Sequence, residues 1–166
     1  ALMLMHRLEG QIRRECGDRT TVFASFVQHA WNPDTGEFRN FMGFGRNWLE
    51  DIGSEDSCGR TIWAIGITAR HAQDAGMRRW AAELFAETAP SALGFQSPRA
   101  IAFAMLGSAS LANAHPHHAL ADAIMRKGAD RLKALHSAVA RPDWNWFEDV
   151  LAYDNCRLSE AMLRVG

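Results

Sequence analysis

Two acid-bearing stretches of the sequence carry residue types suited to hydroxyl-rich ligands. The first is Gly53-Ser54-Glu55-Asp56-Ser57-Cys58-Gly59-Arg60, preceded by Arg46, Trp48 and Asp51. The second is Pro142-Asp143-Trp144-Asn145-Trp146-Phe147-Glu148-Asp149, continued by Tyr153-Asp154-Asn155. Aromatic faces offer a flat apolar surface to the C–H face of a sugar ring, while carboxylates and amides bond its hydroxyls. Cleavage of a glycosidic bond also takes two carboxyl groups across that bond, one of them a proton donor. Glu55, Asp56, Asp143, Glu148 and Asp154 are the candidate catalytic acids. Arg46, Trp48, Arg60, Trp144, Trp146, Tyr153 and Asn155 are the candidate substrate-binding residues.

Position along the chain separates roles among these acids. Glu55 and Asp56 lie where a polar, cap-forming segment runs into the uncharged Thr61-Ile62-Trp63-Ala64-Ile65-Gly66-Ile67, the mark of a helix N-terminus. Backbone N–H groups there hold a carboxylate ionised, fitting it to act as a base or to accept from a hydroxyl. A proton donor needs an apolar surrounding. Glu148, between Phe147 and Val150-Leu151, and Asp143, beside Trp144, meet that need better. The plainer reading is that Glu55 and Asp56 cap a helix, that Asp143 forms a turn after Pro142, and that the tryptophans are core.

Two other groups have weaker chemistry. His115-Pro116-His117-His118 has histidines in the density of a metal tract, but only Asp122 stands at a ligand spacing, so the reading is a helix-to-helix loop with no metal. Cys58 sits near a helix start, where a thiol is acidified. No histidine lies nearby as a base, so Cys58 is read as structural, and no cofactor is expected.

The elements that must position these residues read as helices. Leu4, Leu8, Ile12 and Cys16 form a stripe on a first helix, and Val22, Phe23, Phe26, Val27 and Ala30 cluster on a second over 20–30. Residues 31–57 form a long irregular stretch, with a turn at Asn32-Pro33-Asp34-Thr35-Gly36 and the aromatic Phe38, Phe41, Phe44 and Trp48. Helices follow over 58–75, 77–89, 98–113, 117–140 and 158–165, with Ser97-Pro98 as cap and first turn of the third of these. The helix at 58 is apolar nearly all round in its first half, that at 98 is almost uncharged, and those at 77 and 117 are amphipathic, the alternation of two helical layers, inner and outer. Arg60-Thr61-Ile62-Trp63 and Arg99-Ala100-Ile101-Ala102 repeat an Arg ahead of an apolar run, at a period near forty residues.

Composition bounds the partners. The 166 residues are 48% apolar and 22% charged, with a formal net charge of -1, so one globular domain over 1–166 is expected, with neither nucleic acid nor a membrane as partner. The apolar start, Ala1 to Met5, is too short for a membrane span or a signal-peptide core. Three widely spaced cysteines without a CxxC pair suggest reduced thiols and a cytoplasmic protein.

Arg46-x-Trp48 followed by Gly53-Ser54-Glu55-Asp56-Ser57-x-Gly59-Arg60-x-x-Trp63-Ala64-x-Gly66 resembles a motif of bacterial proteins related to the six-hairpin glycosidases. Asp143-Trp144-x-Trp146-Phe147-Glu148-x-x-Leu151-x-Tyr153-Asp154-Asn155 is similar to that group's second motif. The resemblance covers about residues 38–166. It implies an all-α fold of antiparallel helical hairpins in two layers, an (α/α) toroid of the kind often encoded with, or fused to, glycosyltransferases. Six hairpins have twelve helices; about seven are expected here, roughly half a toroid, which implies a fragment or copies that complete one another as a homo-oligomer. The family motif has a histidine where this chain has Cys58, which implies weakened or absent catalysis. The expected function is carbohydrate-active, by glycosidase-like acid/base chemistry on a glycan or phosphosugar. The alternatives are a non-catalytic sugar-binding or accessory domain of a glycosyltransferase system, and a purely structural helical domain.

Overall fold

The computed structural model describes residues 13–166, with side chains from residue 19 onward. The stripe expected over Leu4, Leu8, Ile12 and Cys16 lies outside the described residues. Among the described residues the chain is all-α apart from one two-stranded hairpin. The helices are α1 (Arg13–Ala30), α2 (Glu55–His71), α3 (Ala75–Thr88), α4 (Pro98–Ala114), α5 (Ala119–Val139) and α6 (Cys156–Val165), with a 3-10 turn, Ala89–Gly94, after α3. None is long and apolar enough to cross a membrane.

Three helix starts are set by side-chain caps: Ser54 accepts from Ser57 N, Asp74 from Met77 N, and Ser97 from Ala100 N. His118 caps α5 through Nδ1, 3.3 Å from Ala121 N, so one histidine of the 115–118 tract serves as a helix cap. Glu55 and Asp56 stand in the first turn of α2, as expected. α1 runs through residues 17–20 without the break placed there from the sequence, and Val22 and Phe26 face solvent rather than the core. Among the described side chains of that helix, Thr20, Ala24 and Ala30 are buried.

α2 and α4 are the closest pair and run parallel, because their contacts climb together: Gly59 meets Ala100, Trp63 stacks on Phe103 with centroids 5.5 Å apart, and Gly66 meets Gly107. The two backbones touch. A Cβ on Gly66 would lie 2.2 Å from Gly107 O, and one on Gly107 would lie 2.5 Å from Ile62 O. α3 folds back on α2 after a three-residue turn, and α5 on α4 after a four-residue one. α6 packs on both α4 and α5.

The amphipathic covering helices are found as expected in α3 and α5, each burying one face, but full burial of an inner helix holds for α4 alone, which is buried continuously from Arg99 to Ala109. α2 buries one face and leaves Trp63, Ala64 and Ile67 half-buried. The reason is the neighbours: α4 has α2, α5 and α6 around it, whereas α2 packs mainly on α3 and α4.

The stretch between α1 and α2 is ordered by local hydrogen bonds. Trp31 and Asn32 pair antiparallel with Phe38 and Glu37, and Gly36, at φ 71°, closes the turn with its N–H on Asn32 O. Met42 bridges Trp48, and Leu49 N donates to Phe41 O, which shapes residues 41–49 into a finger with Phe44 fully exposed at its tip. Gly53 N then donates to Phe38 O and delivers the chain to the start of α2.

Candidate functional site

α2, α4 and α6 begin at one end of the molecule, and each presents an arginine there: Arg60, Arg99 and Arg157. The loop from Arg141 to Asn155 folds over the three and supplies most of their partners.

Arg60 is the hub. Its Nε donates to Asp56 Oδ2 at 2.9 Å and its Nη2 to Asp154 Oδ2 at 2.7 Å. Its guanidinium lies 4.3 Å from the centre of the Phe103 ring, a cation–π contact of about 0.5–2 kcal/mol. Desolvation works against the charge of Arg60, but Asp56 and Asp154 outweigh it and raise its pKa further. Tyr153, 56% exposed, donates its hydroxyl to Asp56 Oδ1 at 2.6 Å. Burial alone would raise the Asp56 carboxyl. The hydrogen bonds from Tyr153 and Arg60, with the charges of Arg60 and Arg99, reverse this and hold it below the usual carboxylate value. The same hydrogen bond, then burial and the charge of Asp56, pushes the Tyr153 phenol up.

Arg99 holds the loop. Only 5% exposed, it donates from Nε to Tyr153 O at 2.5 Å, from Nη1 to Glu148 Oε1 at 2.8 Å and from Nη2 to Asn155 Oδ1 at 3.0 Å. Glu148 Oε2 also lies 2.8 Å from Nη2, at ion-pair distance though without in-line hydrogen-bond geometry. Arg157 pairs with Glu160 and, at 4.0 Å, with Asp154, while its guanidinium lies over the Trp63 ring at 4.9 Å. Asp154 adopts φ 52°, an uncommon backbone for a non-glycine residue, in the turn that aims its carboxylate at two arginines.

Of the residues singled out from the sequence, Asp56, Arg60, Glu148, Tyr153, Asp154 and Asn155 come together here. The others are placed elsewhere, each for a physical reason. Glu55 lies at the same end but is engaged by backbone: it accepts from Gln96 N and, at 2.7 Å, from Ser97 N, and so ties the start of α2 to that of α4. Asp143 has 81% of its side chain exposed and pairs with Arg141 beside the tight turn that Arg141 and Trp144 close, not with the network. Trp144 donates its indole N–H to Glu148 O, and Trp146 packs edge-on against Phe147, so both shape the loop. Trp48 fastens the finger to α1 through Phe26 and His29. Arg46 stands exposed on that finger at φ 62°.

The apolar surrounding expected for Glu148 as a proton donor is replaced by the Arg99 guanidinium, and for Asp143 by solvent. Burial, with Glu37 Oε2 3.4 Å from the sulfur, pushes the Cys58 thiol up to about 12, which fits its structural reading. Among the described residues no three His, Cys, Asp or Glu side chains gather as metal ligands.

The network contains residues that the sequence reading did not assign to a site: Trp63, Arg99, Phe103, Arg157 and Glu160. For Trp63, Arg99 and Phe103 the signal was the repeat, in which Arg60 and Arg99 each precede an apolar run; Arg157 and Glu160, at the start of the amphipathic α6, carried no such signal. Comparison with protein-family models, with characterised proteins and with solved structures returns no match for this chain, so the site rests on its own geometry.

Proposed function

We propose that the arginine–carboxylate network is a carbohydrate-binding site in a domain of the six-hairpin toroid type, with α2, α4 and α6 as consecutive inner helices, and that it recognises a glycan or phosphosugar without cleaving it. The observation that carries the reading is the Asp56–Tyr153–Arg60 triad. It sets an ionised carboxylate, a hydroxyl and a guanidinium beside a half-exposed Tyr153 ring, the mixture of acceptors, donors and apolar face that sugar rings select. Binding is favoured over hydrolysis because Asp56, Asp154 and Glu148 each face an arginine and Glu55 faces backbone amides. None lies in the apolar surrounding that keeps an acid protonated for donation. The place in a glycosyltransferase system implied by the sequence resemblance is part of the same proposal.

A second reading, in which the network only braces the three helix starts, is favoured by the pairing of every one of these acids. Isothermal titration calorimetry with neutral, acidic and phosphorylated oligosaccharides separates the two, alongside an assay for released reducing ends. The expected result is saturable binding without turnover, weakened about tenfold or more by Asp56→Asn. Folded protein that binds no member of the panel leaves the brace as the reading. Release of reducing ends restores the hydrolase.

A further inference from the structure

The opposite end of the inner helices holds a second cluster. α2 ends, α3 begins and α4 ends around an open groove of about 570 Å³. At a rise of ~1.5 Å per residue, the ten residues of α2 between Arg60 and Arg70 put it roughly 15 Å from Arg60. Its apolar lining is alanine, Ala82 among them, and its polar lining is Arg70, Arg78, Arg79, Glu83 and His115.

Helix capping accounts for part of this charge. Arg70 stands in the last turn of α2, where a cation complements the helix dipole. Arg78 Nη1 donates to Ala72 O at 2.7 Å and to Gln73 O at 3.0 Å, which fixes its guanidinium against the α2–α3 turn and leaves Nε and Nη2 unused. Arg79 has no such account. It is the fifth residue of α3, exposed and past the first turn in which the helix dipole acts, and that first turn contains no acid. Among the described residues neither Arg70 nor Arg79 has an ion pair or a side-chain hydrogen bond, and Glu83, four residues on from Arg79, makes none with it. The nearby Asp74 is committed to capping Met77 N at 2.8 Å.

We propose that this groove is an anion site for the phosphoryl group of a small solute. The groove is lined by three guanidiniums and an imidazole against a single carboxylate, and guanidinium geometry matches phosphate oxygens two at a time. Arg78 is held in place by two carbonyls before any ligand arrives, so ordering it adds little cost on binding. The volume suits a small molecule, and the alanine lining leaves space for the group that carries the phosphate.

Titrating inorganic phosphate and pyrophosphate into isotopically labelled protein tests this by NMR. The Arg Nε–H signals and the backbone amides of 69–79 and 114–115 are expected to shift saturably, with pyrophosphate binding more tightly. Arg79→Gln and Arg70→Gln each weaken it about tenfold or more, and Arg126→Gln, exposed on α5 outside the groove, leaves it unchanged. The two groove variants remove no contact seen in the fold, and tryptophan fluorescence verifies that each is native. Shifts that fail to saturate, or that persist in the doubly substituted protein, overturn the proposal. So do anionic vesicles that move these signals while pyrophosphate does not. Glycan binding at the other end is indifferent to these outcomes, so the two proposals fail separately.

Discussion

Tyr153 offers its ring to solvent and its hydroxyl to a carboxylate, and it is the one tyrosine in the chain. That makes the network directly observable. Spectrophotometric titration of tyrosinate reads this residue alone, and its midpoint is expected above the ordinary phenol value of about 10, falling back toward it in Asp56→Asn. The sign of the linkage follows from the raised folded value: the stability that this hydrogen bond confers is full below the unfolded phenol value and is lost as pH rises through the folded one. A midpoint unmoved by Asp56→Asn would separate the two groups in solution. Cys58 is the counterexample at this scale. Its place at a helix start suggested an acidified thiol, but the side chain is buried against Glu37 and the thiol is held protonated instead.

The elements show why some of the site was legible in the sequence and some was not. Caps, apolar runs and the Ser97-Pro98 start are local signals, so α2 to α6 fall close to where periodicity places them. The partners of the acids are not local: Arg60 reaches Asp154 across 94 residues and Arg99 reaches Glu148 across 49. Nothing beside Glu148 in the sequence says that a guanidinium will replace the apolar surrounding that Phe147 and Val150 suggest. The α2–α4 seam was equally hidden, since a glycine inside a helix reads first as a weakness. It gives a sharp expectation. Gly66→Ala or Gly107→Ala forces a Cβ onto backbone and is expected to cost about 3 kcal/mol or more in chemical denaturation. Gly94→Ala, where an added Cβ meets nothing within 4 Å, is expected to be near neutral. Equal midpoints for Gly66→Ala and Gly94→Ala would contradict the seam.

For the whole molecule, the loop 141–155 is tied to the helices chiefly through Arg99, whose three nitrogens each engage that segment. Arg99→Met leaves Glu148 without its partner and is expected to cost about 3–5 kcal/mol, as other broken buried pairs do. Hydrogen exchange is the discriminating readout: amides of 148–155 lose protection, while those of the α2–α4 core keep theirs. Uniform loss along the chain would mean that the loop and the core unfold as one unit. The seam between α2 and α4 also acts as a ruler. Two helices whose backbones touch at Gly59, Gly66 and Gly107 have one register available, because a slip of one turn would put a side chain where each glycine now meets the facing backbone. The heights of Arg60 and Arg99 relative to one another are therefore set in large part about two turns away, by Gly66 and Gly107. A sequence search for other sites of this design is better keyed to that spacing of small residues than to the acids themselves.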